Sequence, residues 1–99
     1  MRIEVEEAAA RWYKEEMGLT GGESLRVFVR LGGCGSVHSG LSLGITQDIP
    51  RKPAISQRCE GILFFMEEDN VWYLDNNDLH LYYHASMEEA VIEVRAAKS

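Results

Sequence analysis

Cys34 and His38 are the side chains of this sequence best suited to binding a metal ion, and they lie four positions apart in the segment "LGGCGSVHSG" (31–40). Three glycines flank the cysteine and leave its thiol uncrowded. Exposed backbone N–H groups in such a loop can lower the pKa of a thiol, and the thiolate is the form that binds iron or zinc. The pattern predicts a metal or cluster ligand at Cys34, with His38 as an additional nitrogen ligand.

Other interpretations of the thiol stay open at this point. Cys34 with His38 or His84 and an aspartate has the residue types of a thiol hydrolase, and a reactive cysteine could also act as a redox sensor. The plain structural interpretation is a turn between two strands that carries a thiol. Cys59, the second cysteine, is predicted to be a small buried hydrophobic residue at a strand end.

Two further histidines, His80 and His84, lie four residues apart in the alternating segment "DLHLYYH" (78–84). On a helix this spacing would place both on one face, but on a strand four residues span roughly 13 Å. The two imidazoles could then not bind one ion. We therefore expect strand histidines that are exposed or half-buried.

The elements that must position these residues follow from hydrophobic periodicity. Residues 6–17 have helical spacing, and residues 67–75 predict a second helix of one or two turns. Alternating segments predict strands at 2–5, 24–30, 39–46, 54–59, 62–67, 78–84 and 90–94. The aromatic side chains are predicted to pack in the core, with an exposed patch around Trp72 as the other interpretation. The predicted fold is α+β and mostly β, a single domain over residues 1–99 in which one N-terminal helix covers mixed or antiparallel strands.

Composition narrows the classes of partner and location. The 99 residues include 10 basic and 16 acidic side chains, giving a net charge of −6. Such a chain repels phosphate backbones and anionic lipids, so neither nucleic acid nor a membrane is an expected partner. No apolar run approaches the ~20 residues that cross a bilayer, and the N-terminus lacks the pattern of a secretory signal. The predicted location is the cytoplasm.

Three short motifs follow one another along the chain: Gly32-Gly33-Cys34, Glu60-Gly61, and Tyr73-Leu74-Asp75 followed by Leu79. In the order and spacing of these motifs, residues 2–94 resemble a divergent short branch of the HesB/IscA-like A-type iron–sulfur carriers. The resemblance implies a compact β-rich fold that often dimerises. It also implies an iron or iron–sulfur cluster that is held by cysteines and passed to acceptor proteins. Only Cys34 matches a family ligand, because the C-terminal Cys-Gly-Cys of that family is absent here.

The sequence therefore predicts a non-enzymatic accessory protein that binds or assembles iron or an iron–sulfur cluster, with an acceptor or scaffold protein as partner. A homodimer could supply Cys34 and His38 twice, as two thiolates and two imidazoles. The alternative is a protein-interaction module that kept the fold and lost the cluster ligands.

Overall fold

The structure, a computed structural model, describes residues 1–32 and 40–97. Within these ranges the chain forms one α-helix, one short 3-10 helix and seven strands. In chain order they are β1 (Ile3–Val5), α1 (Glu7–Met17), β2 (Ser24–Leu31), β3 (Leu41–Gln47), β4 (Pro53–Cys59), β5 (Ile62–Glu67), the 3-10 helix (Val71–Leu74), β6 (Asp78–His84) and β7 (Glu89–Arg95). The predicted α+β, mostly β fold class is confirmed.

The strands form two mixed sheets. The three-stranded sheet has the order β1-β6-β7, with β1 parallel to β6 and β7 antiparallel to it. The four-stranded sheet has the order β3-β2-β5-β4, with β2 and β5 parallel at its centre and antiparallel strands on both sides. A side chain joins the two sheets, since Gln57 of β4 accepts a hydrogen bond from the backbone N–H of Val5.

Helix α1 packs on β6 and β7 through a stripe of small and aromatic residues. Ala9, Ala10 and Tyr13 are buried on this stripe, and the Tyr13 ring lies 6.1 Å from the ring of Phe64. Burial, followed by the charge of Glu89, raises the pKa of Tyr13 to about 12. The helix ends at Met17 and is followed by Gly18, whose positive φ of 65° is favourable for glycine.

The turn after α1 contains a carboxylate that is bonded to the backbone. Glu23 accepts hydrogen bonds from the N–H groups of Thr20 (3.0 Å) and Gly21 (2.7 Å). These bonds, that from Thr20 first, hold the pKa of Glu23 below its ordinary value of 4.5. The stability they add is present at neutral pH and is lost as the pH falls through the lowered pKa.

Changing this carboxylate should therefore change the response of the protein to acid. We expect Glu23→Gln to lower the unfolding midpoint at pH 7 but to leave a smaller difference from wild type as the pH falls through the lowered pKa of Glu23. Urea unfolding followed by circular dichroism at several pH values measures this. Parallel curves for the two proteins over the whole pH range would contradict the assignment.

Most predicted elements agree with the structure, and three details are corrected. The predicted strands 62–67 and 78–84 have the bounds of β5 and β6. The strand predicted at 54–59 begins one residue earlier, at Pro53, which is allowed because β4 is an edge strand. Trp72 is 53% exposed rather than in the core, and His80 is buried rather than exposed or half-buried. Within the described residues, no helix is long and apolar enough to cross a membrane.

Candidate functional site

The predicted metal ligands, Cys34 and His38, lie outside the described residues. In the two described ranges, no group of three or more histidine, cysteine or acidic residues is arranged to hold a metal ion. Cys59 is partly buried at the end of β4, and burial raises the pKa of its thiol. A raised pKa keeps this thiol protonated at neutral pH, which disfavours both metal binding and nucleophilic attack by Cys59. An iron or iron–sulfur cofactor at Cys34 stays a prediction.

The outer face of the three-stranded sheet is acidic and centred on His80. Glu4, His80 and Glu93 are register partners across β1, β6 and β7, so their side chains form one row. The Nε2 atom of His80 lies 2.9 Å from a carboxylate oxygen of Glu6, and its Nδ1 atom lies 3.6 Å from Glu4. His80 is buried because these carboxylates and the neighbouring ring of Tyr82 surround it.

The rest of this face is a network of paired groups. The Tyr82 hydroxyl donates a hydrogen bond of 3.0 Å to Glu93, and the Nε–H of Arg95 donates one of 2.7 Å to the same carboxylate. The bond from Arg95, ahead of that from Tyr82, lowers the pKa of Glu93, and accepting from Tyr82 raises the pKa of that phenol. The side chains of the acidic face thus bond mainly to one another.

The outer face of the four-stranded sheet is aromatic and cationic. Arg26, Phe28 and Arg30 of β2 share this face with Phe65 of β5 and Arg58 of β4. Phe65 is fully buried there, although it points away from the core that contains Phe64. The guanidinium of Arg26 lies 5.2 Å from the ring centre of Phe28, a cation–π contact. The two outer faces of the molecule therefore carry opposite charge.

Two arginine side chains of β2 bond to side chains of β3 and of the residue that follows it, and Arg30 stays exposed. The Nε–H of Arg30 donates to the hydroxyl of Ser42 at 3.1 Å, and the Nε–H of Arg26 donates to Asp48 at 2.9 Å. Asp48 also pairs with Arg51 at 3.4 Å, so one carboxylate serves two guanidinium groups. No described carboxylate forms an ion pair with Arg30. Positive charge therefore remains at the Arg30 end of β3, whereas carboxylates balance the cations at the other end.

Among the described residues, no strand pairs with the outer edge of β3. The N–H of Gly32 donates to the carbonyl of Gly40, and the N–H of Asp48 donates to that of Ser24. Peptide groups alternate in direction along a strand, so even-numbered residues of β3 bond to β2. The odd-numbered residues turn their N–H and C=O groups toward the open side: Leu41, Leu43, Ile45 and Gln47. We call these outward peptide groups the β3 edge.

The β3 edge lacks the devices that protect the other sheet edges. Its seven residues, "LSLGITQ", include no charged residue and no proline. By contrast, β7 carries Glu89, Glu93 and Arg95, β4 begins with proline and contacts β1, and β1 is only three residues long. An uncharged, unbulged edge is a template for pairing with another strand. In the described part of the chain, no strand lies beyond β3.

Large exposed apolar side chains stand at both ends of the β3 edge. Leu31, the register partner of Leu41, is 88% exposed, and Ile49, two residues after the end of β3, is 75% exposed. The 3-10 helix with exposed Trp72 lies on the other side of β2, because the Asn70 side chain accepts a hydrogen bond of 2.9 Å from the N–H of Val29, which points away from β3. Exposed apolar surface therefore flanks the β3 edge at Leu31 and Ile49.

Gly44, in the middle of β3, makes room for an aromatic ring. A Cβ atom at this position would lie 2.8 Å from the Cζ atom of Phe28, inside van der Waals contact. We expect Gly44→Ala to lower the free energy of unfolding by about 1 kcal/mol, because the ring must shift. In a Phe28→Leu background the same change should cost less. Denaturant unfolding of the four proteins measures the coupling, and equal costs in both backgrounds would contradict this contact.

Sequence reasoning missed the β3 edge, although one signal was present. The predicted strand at 39–46 contains no charged residue. The lack of charge indicates a binding edge only when the strand is known to lie at the edge of its sheet. The acidic row was missed for a similar reason, since only the pairing of β1, β6 and β7 brings Glu4 and Glu93 to His80.

The class of protein is thus a small α+β domain with two mixed sheets, two oppositely charged faces and one open sheet edge. The chain belongs to the family of a Bacillus subtilis (strain 168) protein named pyruvate dehydrogenase inhibitor. The two are 43% identical over 93 residues, which is 94% of this chain and 98% of that protein. An uncharacterised protein of Staphylococcus saprophyticus is 28% identical over 92 residues, 90% of this chain and 94% of that relative. No protein-family model matches the chain.

These comparisons correct the functional prediction. The identification with HesB/IscA-like A-type carriers is wrong, and so is the role in iron–sulfur cluster binding or assembly that it implied, because the relative that defines the family is named as an enzyme inhibitor. The short motifs around Cys34, Glu60 and Tyr73 were too small to distinguish the families. The expectation of a non-enzymatic protein agrees with the relative's name.

Proposed function

We propose that this protein binds pyruvate dehydrogenase and inhibits it. The observation that carries the proposal is the 43% identity to the protein named as such an inhibitor, spread over nearly the whole of both chains. The surface of the molecule agrees with a protein-binding role, because uncharged strand edges and exposed apolar side chains commonly form contacts between proteins. The proposal places this activity in the cytoplasm. It agrees with the alternative of a protein-interaction module that the sequence left open.

Inhibition by a folded 99-residue domain requires contact with a surface of the enzyme. His80 lies in a pocket together with Glu4 and Glu6, but both of its ring nitrogens already face these carboxylates. The region around the β3 edge, in contrast, combines cations on one face, an exposed leucine on the other and backbone groups that no strand of the described residues pairs.

The experiment is an activity titration. Purified protein is added stepwise to a purified bacterial pyruvate dehydrogenase complex, and NADH formation from pyruvate is followed by absorbance. We expect the rate to fall with added protein and to reach a plateau. An unrelated acidic protein of similar size serves as the control. An unchanged rate at a large molar excess of the protein would overturn the proposal.

A further inference from the structure

We propose that the β3 edge accepts an extended segment of the inhibited enzyme as an added strand, and that this segment alternates apolar and acidic side chains. The inference rests on the proposed function and names the surface that the inhibitor uses. It depends on three observations: the direction of the peptide groups of β3, the charge of Arg30, which bonds to this strand, and the exposed apolar residues at its ends.

The peptide groups supply the affinity of the contact. Leu41, Leu43, Ile45 and Gln47 direct their N–H and C=O groups outward, as the bonds at Gly40 and Asp48 require. An extended segment alongside β3 would satisfy these groups with main-chain hydrogen bonds, the mode used by domains that recognise peptides by strand addition. The bonds depend on the backbone of the partner and not on its sequence.

The two sides of the sheet supply the specificity. Side chains of an added strand alternate between the faces. On the outer face they would meet Arg30, which bonds to Ser42 of β3 and forms no ion pair with a described carboxylate. Acidic side chains fit this face by charge at Arg30, whereas the arginines at the other end of β3 lie among carboxylates.

On the opposite face the added strand would meet apolar surface. Leu41, Leu43 and Ile45 point toward the core side and are only partly buried, and Leu31 and Ile49 extend this surface at both ends. Apolar side chains of the added strand would remove this surface from water, which favours binding.

A second copy of this chain fits the edge less well. Pairing β3 with another β3 offers the cationic face only Ser42, Gly44 and Thr46, none of which carries a negative charge. It would also bring together two chains that each carry a net charge of −6. Charge complementarity therefore favours a foreign segment that carries acidic groups.

The test uses matched arginine variants in the activity titration. Arg30→Glu reverses the exposed charge next to β3, whereas Arg95→Glu reverses an exposed arginine on the acidic face. We expect Arg30→Glu to raise the half-inhibitory concentration about tenfold or more, through a lost ion pair and new like-charge repulsion, and Arg95→Glu to leave it within about twofold. Circular dichroism confirms that both variants fold.

An apolar pair of variants tests the other face of the added strand. Leu31→Ser removes an exposed residue at the end of the β3 edge, and Met87→Ser removes an exposed residue in the turn between β6 and β7. We expect about a tenfold weaker inhibition for the first and no change for the second. Equal behaviour of the two variants would overturn the proposed surface.

Hydrogen exchange distinguishes strand addition from a contact of side chains alone. The outward amides of β3 should exchange quickly in the free protein and be protected in the fragment 41–47 when the purified enzyme is added. Inhibition by wild type without this protection, and with Arg30→Glu as potent as wild type, would overturn the inference while leaving the proposed function intact. No inhibition by wild type would overturn both. Protection of 41–47 that appears when the concentration of this protein alone is raised would overturn the inference in favour of a second copy.

Discussion

Replacing Phe64 with alanine is expected to lower the free energy of unfolding by about 3–5 kcal/mol, the cost of emptying a fully buried aromatic site. Phe64 has no exposed surface and packs at the centre of the core, where its ring meets Tyr13 of α1. It also lies on β5, the register partner of β2, so its loss weakens the contact between the helix and the four-stranded sheet. Urea unfolding followed by circular dichroism measures the effect.

Two variants serve as controls for the loss expected from Phe64→Ala. Phe64→Leu should cost less than alanine because most of the volume is retained. Met87→Ala, at a side chain that is 56% exposed, should change stability by less than about 0.5 kcal/mol. A loss below about 1 kcal/mol for Phe64→Ala would show that this ring is not the centre of the core.

Glu67→Ala is expected to have the second largest effect, a loss of about 2–4 kcal/mol. The buried carboxylate of Glu67 accepts backbone hydrogen bonds from Arg51 at 2.8 Å and Lys52 at 2.7 Å. Hydrogen bonds to a charged group contribute about 1.5–3 kcal/mol each, and both donors would lose their acceptor. These bonds hold the segment that follows β3 and carries Asp48 and Ile49.

The same substitution should therefore also weaken inhibition, because it loosens one end of the β3 edge. Glu68→Ala is the matched control, since Glu68 is exposed and its own backbone N–H, not its carboxylate, bonds to Lys52. Thermal and urea unfolding, together with the activity titration, measure both consequences. Equal stability of the two variants would contradict the role assigned to Glu67.

Local patterns predicted the elements of this fold well. The alternation of "ILFFME" and "DLHLYYH" predicted β5 and β6 to the residue, because one face of each strand packs in the core. The apolar stripe of α1 was equally clear. Parallel pairing of β1 with β6 and of β2 with β5 joins segments that are far apart in sequence, and no local pattern encodes it.

The candidate site depends on that long-range pairing, and for this reason the sequence did not predict it. Whether the N–H of Leu43 faces β2 or solvent follows from strand register, and whether Arg30 lies over a neighbouring strand follows from sheet order. The identification with iron–sulfur carriers relied on motifs of two or three residues. Motifs of that length occur in unrelated families, and whole-chain similarity showed a different family.

The central claim, that this protein inhibits pyruvate dehydrogenase by binding to it, is tested most directly by measuring both quantities in the same samples. Increasing amounts of the protein are mixed with purified enzyme complex, bound protein is separated by sedimentation, and NADH formation is recorded for each mixture. We predict that the fraction of activity lost rises in proportion to the fraction of sites occupied. Binding without loss of activity, or no sedimenting protein at any concentration, would contradict the account.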